Sequence, residues 1–397
     1  MAYHNHQNKE LDIVVYGATG YTGRLVAEYL ADRYAGGGIA WAMAGRSREK
    51  LEQVRDAIGA PAQTPLIVAN SDDPASLDAL CGRTKVVITT VGPYTLYGEA
   101  LLKACAEAGT DYVDLSGEAG WIRQMVDAYA DRAAQTGARI VCSCGFDSIP
   151  FDLGVHYLQR ASNQRFGVPC RQVRGRVRAM KGTFSGGTAE SVKVSVAAAM
   201  QDPALLALLQ SPFALAPGFD GPKQPSGDTP LYEDDLGSWA APFIMAPINT
   251  KNVHRTNALT GHAYGEDFAY SEMILTGPGE AGEAAAKAVA GDTSLMSEDA
   301  PKPGEGPTRE ERDSGYYDVV FLGETADGRT LRASVRGDKD PGYGSTSKMI
   351  AEAALCLIEE ATDTPGGIWT AGAAMGDRLI DRLQKNAGLS FAIEEQT

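Results

Sequence analysis

The sequence predicts an α/β protein: a doubly wound parallel sheet at the N-terminus, followed by a second α+β domain built on a largely antiparallel sheet. Three observations carry this expectation. Short apolar runs alternate with helical patterns for six rounds up to Cys144. The first run ends in glycines at three-residue spacing, Gly17, Gly20 and Gly23. Beyond Pro150 the runs become alternating, as strands with one solvated face do.

The first strand, Asp12–Tyr16, is apolar on both faces and ends at Gly17. Its glycine turn opens a helix through Arg33, so strand, turn and helix match the start of a dinucleotide-binding βαβ unit. A pyrophosphate must approach the main chain closely, which bare Gly17 and Gly20 permit. Thr19, Tyr21 and Thr22 lie in the same turn, whose free N–H groups meet the negative charge. Gly23 lets the helix lie close on the sheet. The second strand, Ile39–Ala44, runs into Gly45-Arg46-Ser47-Arg48. An NAD site places an acid here for the ribose 2′-OH. Arg46 and Ser47 suit a 2′-phosphate instead, because a planar guanidinium donates two bonds at once. NADP(H) is therefore expected in preference to NAD(H). Ser47 also suits a helix cap, and the two roles are compatible.

Further strands are expected at Pro65–Ala69, Lys85–Val91, Tyr112–Leu115 and Arg139–Cys144, with helices at 48–58, 74–80, 99–108 and 121–135. Gly109 and Gly137 stand where C-terminal caps belong. Thr90, Gly92 and Pro93 follow the fourth strand and Gly145 and Phe146 the sixth. In such a sheet ligands sit beyond the strand carboxyl ends, so all five are expected to line the cofactor. The first domain spans 1–146. A substrate or dimerisation domain follows over 147–340, and the helices of 341–397 are expected to pack back on the first domain. Within the second domain, Arg171–Met180 alternates, with Arg174, Arg176 and Arg178 on one face, solvated or able to dock an acidic carrier or a coenzyme A phosphate. Strands at 263–275, 316–324 and 330–337 follow, the last two around the hairpin turn Asp327-Gly328. A helix is expected from Gly186 through Met200, loops at 210–236 and 291–315, and C-terminal helices at 345–360 and 371–388.

Composition excludes several classes. The formal charge is −15 and the pI about 4.9, without the basic footprint that nucleic acid or anionic lipid requires. No apolar run approaches a membrane span and no signal peptide is visible, so a cytoplasmic protein is expected. The six cysteines suit buried thiols better than a disulfide framework or a metal site, and no metal is expected. His4 and His6, in a polar N-terminal segment, read as solvent-exposed.

Several stretches together resemble the saccharopine dehydrogenase-like oxidoreductases, including the trans-acting enoyl reductases. They are Gly17–Gly23, Ala44–Ser47, Val91–Gly98, Asp111–Glu118, Cys144–Gly154, Ser185–Ser191 and Asp340–Tyr343. The resemblance implies a Rossmann domain, an α+β second domain and an NAD(P)-linked reductase. We expect hydride transfer to the C=C bond of an acyl substrate, a small molecule or carrier-bound, with a homodimer as one assembly. Two alternatives stand beside it: C=N or C=O reduction, and a non-catalytic NADP-binding sensor or scaffold. No arginine clamp for an amino diacid is evident.

Reduction of a polarised double bond also needs a proton. Tyr94 and Tyr97 are candidate donors if a cation such as Lys181 or Lys348 lowers a phenol pKa; otherwise both rings pack beside the nicotinamide. Asp147 is the third candidate, as a donor's partner or a substrate ligand, or else as the cap of a helix over 151–160. Ser185-Gly-Gly-Thr188 offers a helix N-terminus for an anionic group or a plain turn. Tyr343 is placed to face the crevice. The run Ala240–Pro247 suits an apolar pocket wall or simple core.

Overall fold

The computed structural model describes residues 9–183, 186–294 and 304–395. The expectations for His4, His6 and Ser185 lie outside these residues. Seven strands form the first sheet: β1 (Leu11–Tyr16), β2 (Trp41–Gly45), β3 (Leu66–Val68), β4 (Thr84–Thr89), β5 (Asp111–Val113), β6 (Arg139–Val141) and, far along the chain, β13 (Gly367–Trp369). Their order is β13-β6-β5-β4-β1-β2-β3, parallel throughout. Alternation along β1 explains the two covered faces. Ile13 and Val15 join one core with Leu30, Met349 and Ile350, whereas Val14 and Tyr16 join another with Leu77, Leu101 and Ile122. Helices Tyr21–Arg33 and Thr346–Glu359 thus cover one face and helices Pro74–Arg83, Glu99–Ala108 and Ala119–Thr136 the other.

The second sheet takes β7 (Cys170–Lys181), β8 (Leu231–Glu233), β9 (Ser238–Pro242), β10 (Ala269–Gly277), β11 (Tyr316–Thr325), β12 (Thr330–Gly337) and β14 (Leu389–Glu394), in the order β14-β12-β11-β7-β10-β9-β8. Only β7 and β10 pair in parallel; the other neighbours are antiparallel. Helix Ile149–Phe166 lies on this sheet. Gly154 makes the close approach, since a Cβ there would run into the Phe321 ring.

Several expectations are corrected here. β8 falls in the stretch read as a loop over 210–236, and β13 and β14 fall in stretches given no element, outside the strand–helix alternation and beyond the last expected helix. The strand read at 263–275 starts only at Ala269. The arginine face of β7 is not an open patch. Arg176 is buried against Glu233 (2.6 Å), and Arg174 pairs with Glu233 and Asp235. Arg178 pairs with Asp318 (2.8 Å) and Glu394 (2.6 Å), so no guanidinium here is left to dock an acidic carrier. All six cysteines are buried and free. Among the described residues no single helix is long and apolar enough to cross a membrane.

Candidate active site

The strand order reverses between β1 and β4, and the turns leaving both strands meet there. Gly17 has φ +89°, and a Cβ on it would stand 2.6 Å from Val91 Cγ2 and 3.0 Å from Thr90 Oγ1. A Cβ on Gly23 would collide with the Gly17 carbonyl, so the glycine fixes how closely helix and turn pack. Gly20 donates its N–H to Gly17 O (2.9 Å) and opens the helix without a side-chain cap. The first-turn amides are therefore left for a ligand. Thr90 Oγ1, beside both glycines, is buried without a partner. A cradle that a Cβ would fill and an orphaned hydroxyl together fit a dinucleotide diphosphate.

At the end of β2, Arg46 is exposed and has neither hydrogen bond nor ion pair among the described residues. Ser47 accepts the Lys50 N–H (3.3 Å) as the cap of the next helix, and its hydroxyl can still donate. Thr19 lies over the same strand end, near Gly45. The Tyr21 side chain turns away to the second domain: it donates to Pro307 O, accepts from Arg312 (3.0 Å) and meets the Tyr343 ring edge-on at 5.2 Å. Only its amide is placed for a diphosphate.

A crevice of about 460 Å³ continues from these turns between the two sheets. Thr22, Thr90, Gly92 and Tyr94 line it from the first domain, Phe243, Ile244, Met245 and Ile248 from the second, and Val192 and Val196 from helix Gly186–Gln201. Pro93 is buried and caps the short helix Tyr94–Tyr97. Gly145 allows close packing against Leu115 and Thr346, while Phe146 stands in the crevice wall with its N–H donated to Thr346 Oγ1 (2.9 Å).

The three proton-transfer candidates part company. The Tyr94 hydroxyl donates to Thr89 O (3.2 Å) and accepts from the Leu115 N–H (3.0 Å). Burial, reinforced by Asp114, pushes that phenol well up, and neither Lys181 nor Lys348 lines the crevice. Tyr94 therefore binds β4 to the loop after β5 instead of holding a mobile proton. Tyr97 is 46% exposed and lies outside the crevice. Asp147 does line it, and no other side chain is hydrogen-bonded to it among the described residues. Nor does it cap the next helix, whose cap position is Ser148. Burial lifts the Asp147 carboxyl to about 7, with its own main-chain hydrogen bond opposing and Asp114 adding to the rise.

Glu118 escaped the sequence reading. Its buried carboxylate accepts the N–H of Tyr94 (2.8 Å), the N–H of Thr95 (2.7 Å) and the Thr95 hydroxyl (2.6 Å). An acid after glycine in the loop beyond a buried strand was the available signal. Asp114 performs a similar service, accepting the N–H groups of Ser116 and Ser143 (2.9 Å each). Across the crevice Tyr343 and Thr188 share a hydrogen bond of 3.1 Å, which ties helix Gly186–Gln201 to the turn that Asp340 caps.

Comparison with known proteins agrees with this geometry. Residues 13–141 match the family model of the saccharopine dehydrogenase NADP binding domain. A putative trans-acting enoyl reductase of Mycobacterium tuberculosis is 42% identical over 96% of this chain and 97% of its own length. The chain belongs to the trans-acting enoyl reductase family. A trans-acting enoyl reductase of Mycobacterium bovis is 38% identical over 94% of this chain and 96% of its own. The solved apo saccharopine dehydrogenase (L-Glu forming) of Saccharomyces cerevisiae shares the fold alone, with TM-score 0.54 and 14% identity over 97% of this chain and 100% of that one. As a member of this family the protein is an oxidoreductase with an NADP-binding domain.

Proposed function

We propose that this trans-acting enoyl reductase relative reduces the C=C bond of an α,β-unsaturated acyl thioester, presented on a carrier, with NADPH in preference to NADH. The observation that carries this reading is the apolar crevice that abuts the glycine turn at the strand-order reversal. Phe243, Ile244, Met245, Ile248, Val192 and Val196 offer an acyl chain an apolar wall. Among the described residues no arginine or lysine lines the crevice, which speaks against an amino-diacid substrate.

When bound, NADPH would supply the hydride. The first-turn amides of helix Tyr21–Arg33 and Thr90 would hold its diphosphate, and Arg46 with Ser47 the 2′-phosphate. Glu118 fixes the Tyr94–Thr95 turn over which the crevice opens. Hydride addition at the β-carbon leaves an enolate, which needs a proton at the α-carbon. We assign that proton to Asp147, the carboxyl in the crevice that is still partly protonated near neutrality. The buried, unpaired thiols fit a reducing compartment, and we place the protein in the cytoplasm.

The test is absorbance at the nicotinamide band with purified protein, NADPH and a panel of enoyl thioester, imine and ketone. Oxidation confined to the enoyl thioester supports the proposal. Oxidation confined to the imine or ketone favours the other chemistry, and tight NADPH binding with no turnover the sensor.

A further inference from the structure

A second cavity lies behind the crevice. It encloses about 620 Å³ between the segment 210–228, β10 and helix Ala246–Leu259, and shares Phe243 and Pro247 with the crevice as a common wall. Lys251 lines it, buried, with Nζ donating to one partner, Pro247 O of its own helix (3.0 Å), and without an ion pair among the described residues. A buried ammonium held by one carbonyl retains unmet donors and an uncompensated charge.

The neighbouring groups do not supply the missing charge. Glu272, also in the wall, accepts from Tyr270 (2.9 Å) and Asn249 (2.9 Å), and burial lifts its carboxyl to about 8, so it is mostly neutral at pH 7. Asp220 and Asp228 are exposed at the rim, as is Lys223. One turn along the helix His254 faces the same cavity, 3% exposed, and its Nε2 has no partner among the described residues. The ring is wedged against Phe213 (4.8 Å) and Phe268 (5.8 Å). Phe213, Phe243 and Tyr270 form an aromatic wall beside the two nitrogen groups, in a cavity open to solvent at its polar rim.

We propose that this cavity is a second binding site, separate from the reductase crevice, for an amphiphile with an anionic head. The head, a carboxylate or a phosphate monoester, pairs with Lys251 and accepts from His254, and the chain lies on the aromatic wall. The inference does not rest on the reductase reading, because neither residue belongs to the crevice.

The test is calorimetric titration of the full chain at pH 7, without nucleotide, using octanoate, octyl phosphate, 1-octanol and inorganic phosphate as probes. At least one of the two anionic amphiphiles should bind at least tenfold more tightly than octanol, and the tighter of the two names the head group. Inorganic phosphate, lacking the chain, should bind at least tenfold more weakly than that amphiphile. Lys251→Met should lose at least tenfold in affinity for that amphiphile while keeping NADPH binding, which reports folding, and Lys251→Arg should recover most of the loss. His254→Gln, which keeps a polar group, should lose a smaller factor. Octanol binding as tightly as the tighter anion overturns the proposal. So does undiminished binding to a folded Lys251→Met variant, or no binding of either amphiphile.

Discussion

Asp147 stands in the crevice with its carboxyl raised to about 7, Tyr94 with both hydroxyl bonds committed to main chain, and Arg46 exposed beyond β2. Each makes a distinct prediction. If protonated Asp147 is the donor, kcat is high below pH 7 and falls as pH rises through the folded-state value, because the acid form is lost. Asp147→Asn should lower kcat by roughly 10²- to 10⁴-fold and abolish that alkaline limb, read from a pH–rate profile. Tyr94→Phe removes a tie between β4 and the loop after β5, so it should lower the melting temperature while kcat stays within a few-fold. A collapse of kcat with unchanged stability would return Tyr94 to the chemistry. Arg46→Ala should raise KM for NADPH by roughly 10- to 100-fold and leave KM for NADH unchanged, since a charged bidentate contact to phosphate is worth about 1.5–3 kcal/mol. Steady-state kinetics with both nucleotides checks it.

Two elements bind the nucleotide domain together. The glycine turn tolerates no side chain at position 23, so Gly23→Ala should cost about 1–3 kcal/mol in denaturant unfolding and weaken NADPH binding together. The C-terminal helix Thr346–Glu359 is pinned by Glu352, fully buried. It accepts from Tyr29 (2.6 Å), Tyr34 (2.8 Å), Arg382 (2.6 Å) and Asn386 (3.1 Å). Arg382 keeps Glu359 (2.7 Å) and Glu360 (2.5 Å), but the hydroxyls of Tyr29 and Tyr34 and the Asn386 amide lose their buried acceptor, so Glu352→Ala should lose about 1–3 kcal/mol in the same measurement. The turn was legible in the sequence because its constraint is local: three glycines, a strand before and a helix after. The Glu352 cluster was not, because its five residues come from three separated helices. The strands β3, β5 and β6 are as short as β13, yet apolar runs set between helical patterns marked them, whereas β13 stands far along the chain outside that alternation and pairs only with the edge of β6. Alternation showed which face of β7 holds the arginines. It carried no information on the acids of 233, 235, 318 and 394 that neutralise them.

At the scale of the whole molecule, the parallel sheet presents its strand ends to the second domain, and the crevice is what remains between them. Phe146 and the glycine turn reach it from one side and Phe243 through Ile248 from the other. Neither domain encloses it alone, which is why the sequence could supply the nucleotide half of the site more fully than the acyl half. Asp147 was read as a loop acid and Glu118 was not; only the assembled crevice shows that Glu118 holds the Tyr94–Thr95 turn while Asp147 faces the space where an acceptor fits. The reaction proposed for this crevice is hydride transfer from NADPH to an activated C=C bond. Following nicotinamide absorbance with a carrier-bound or simple enoyl thioester tests it most directly. Consumption of NADPH with stoichiometric appearance of the saturated thioester, faster than with NADH, is the expected result; a folded, NADPH-binding protein that leaves the enoyl thioester untouched while reducing an imine or ketone would contradict it.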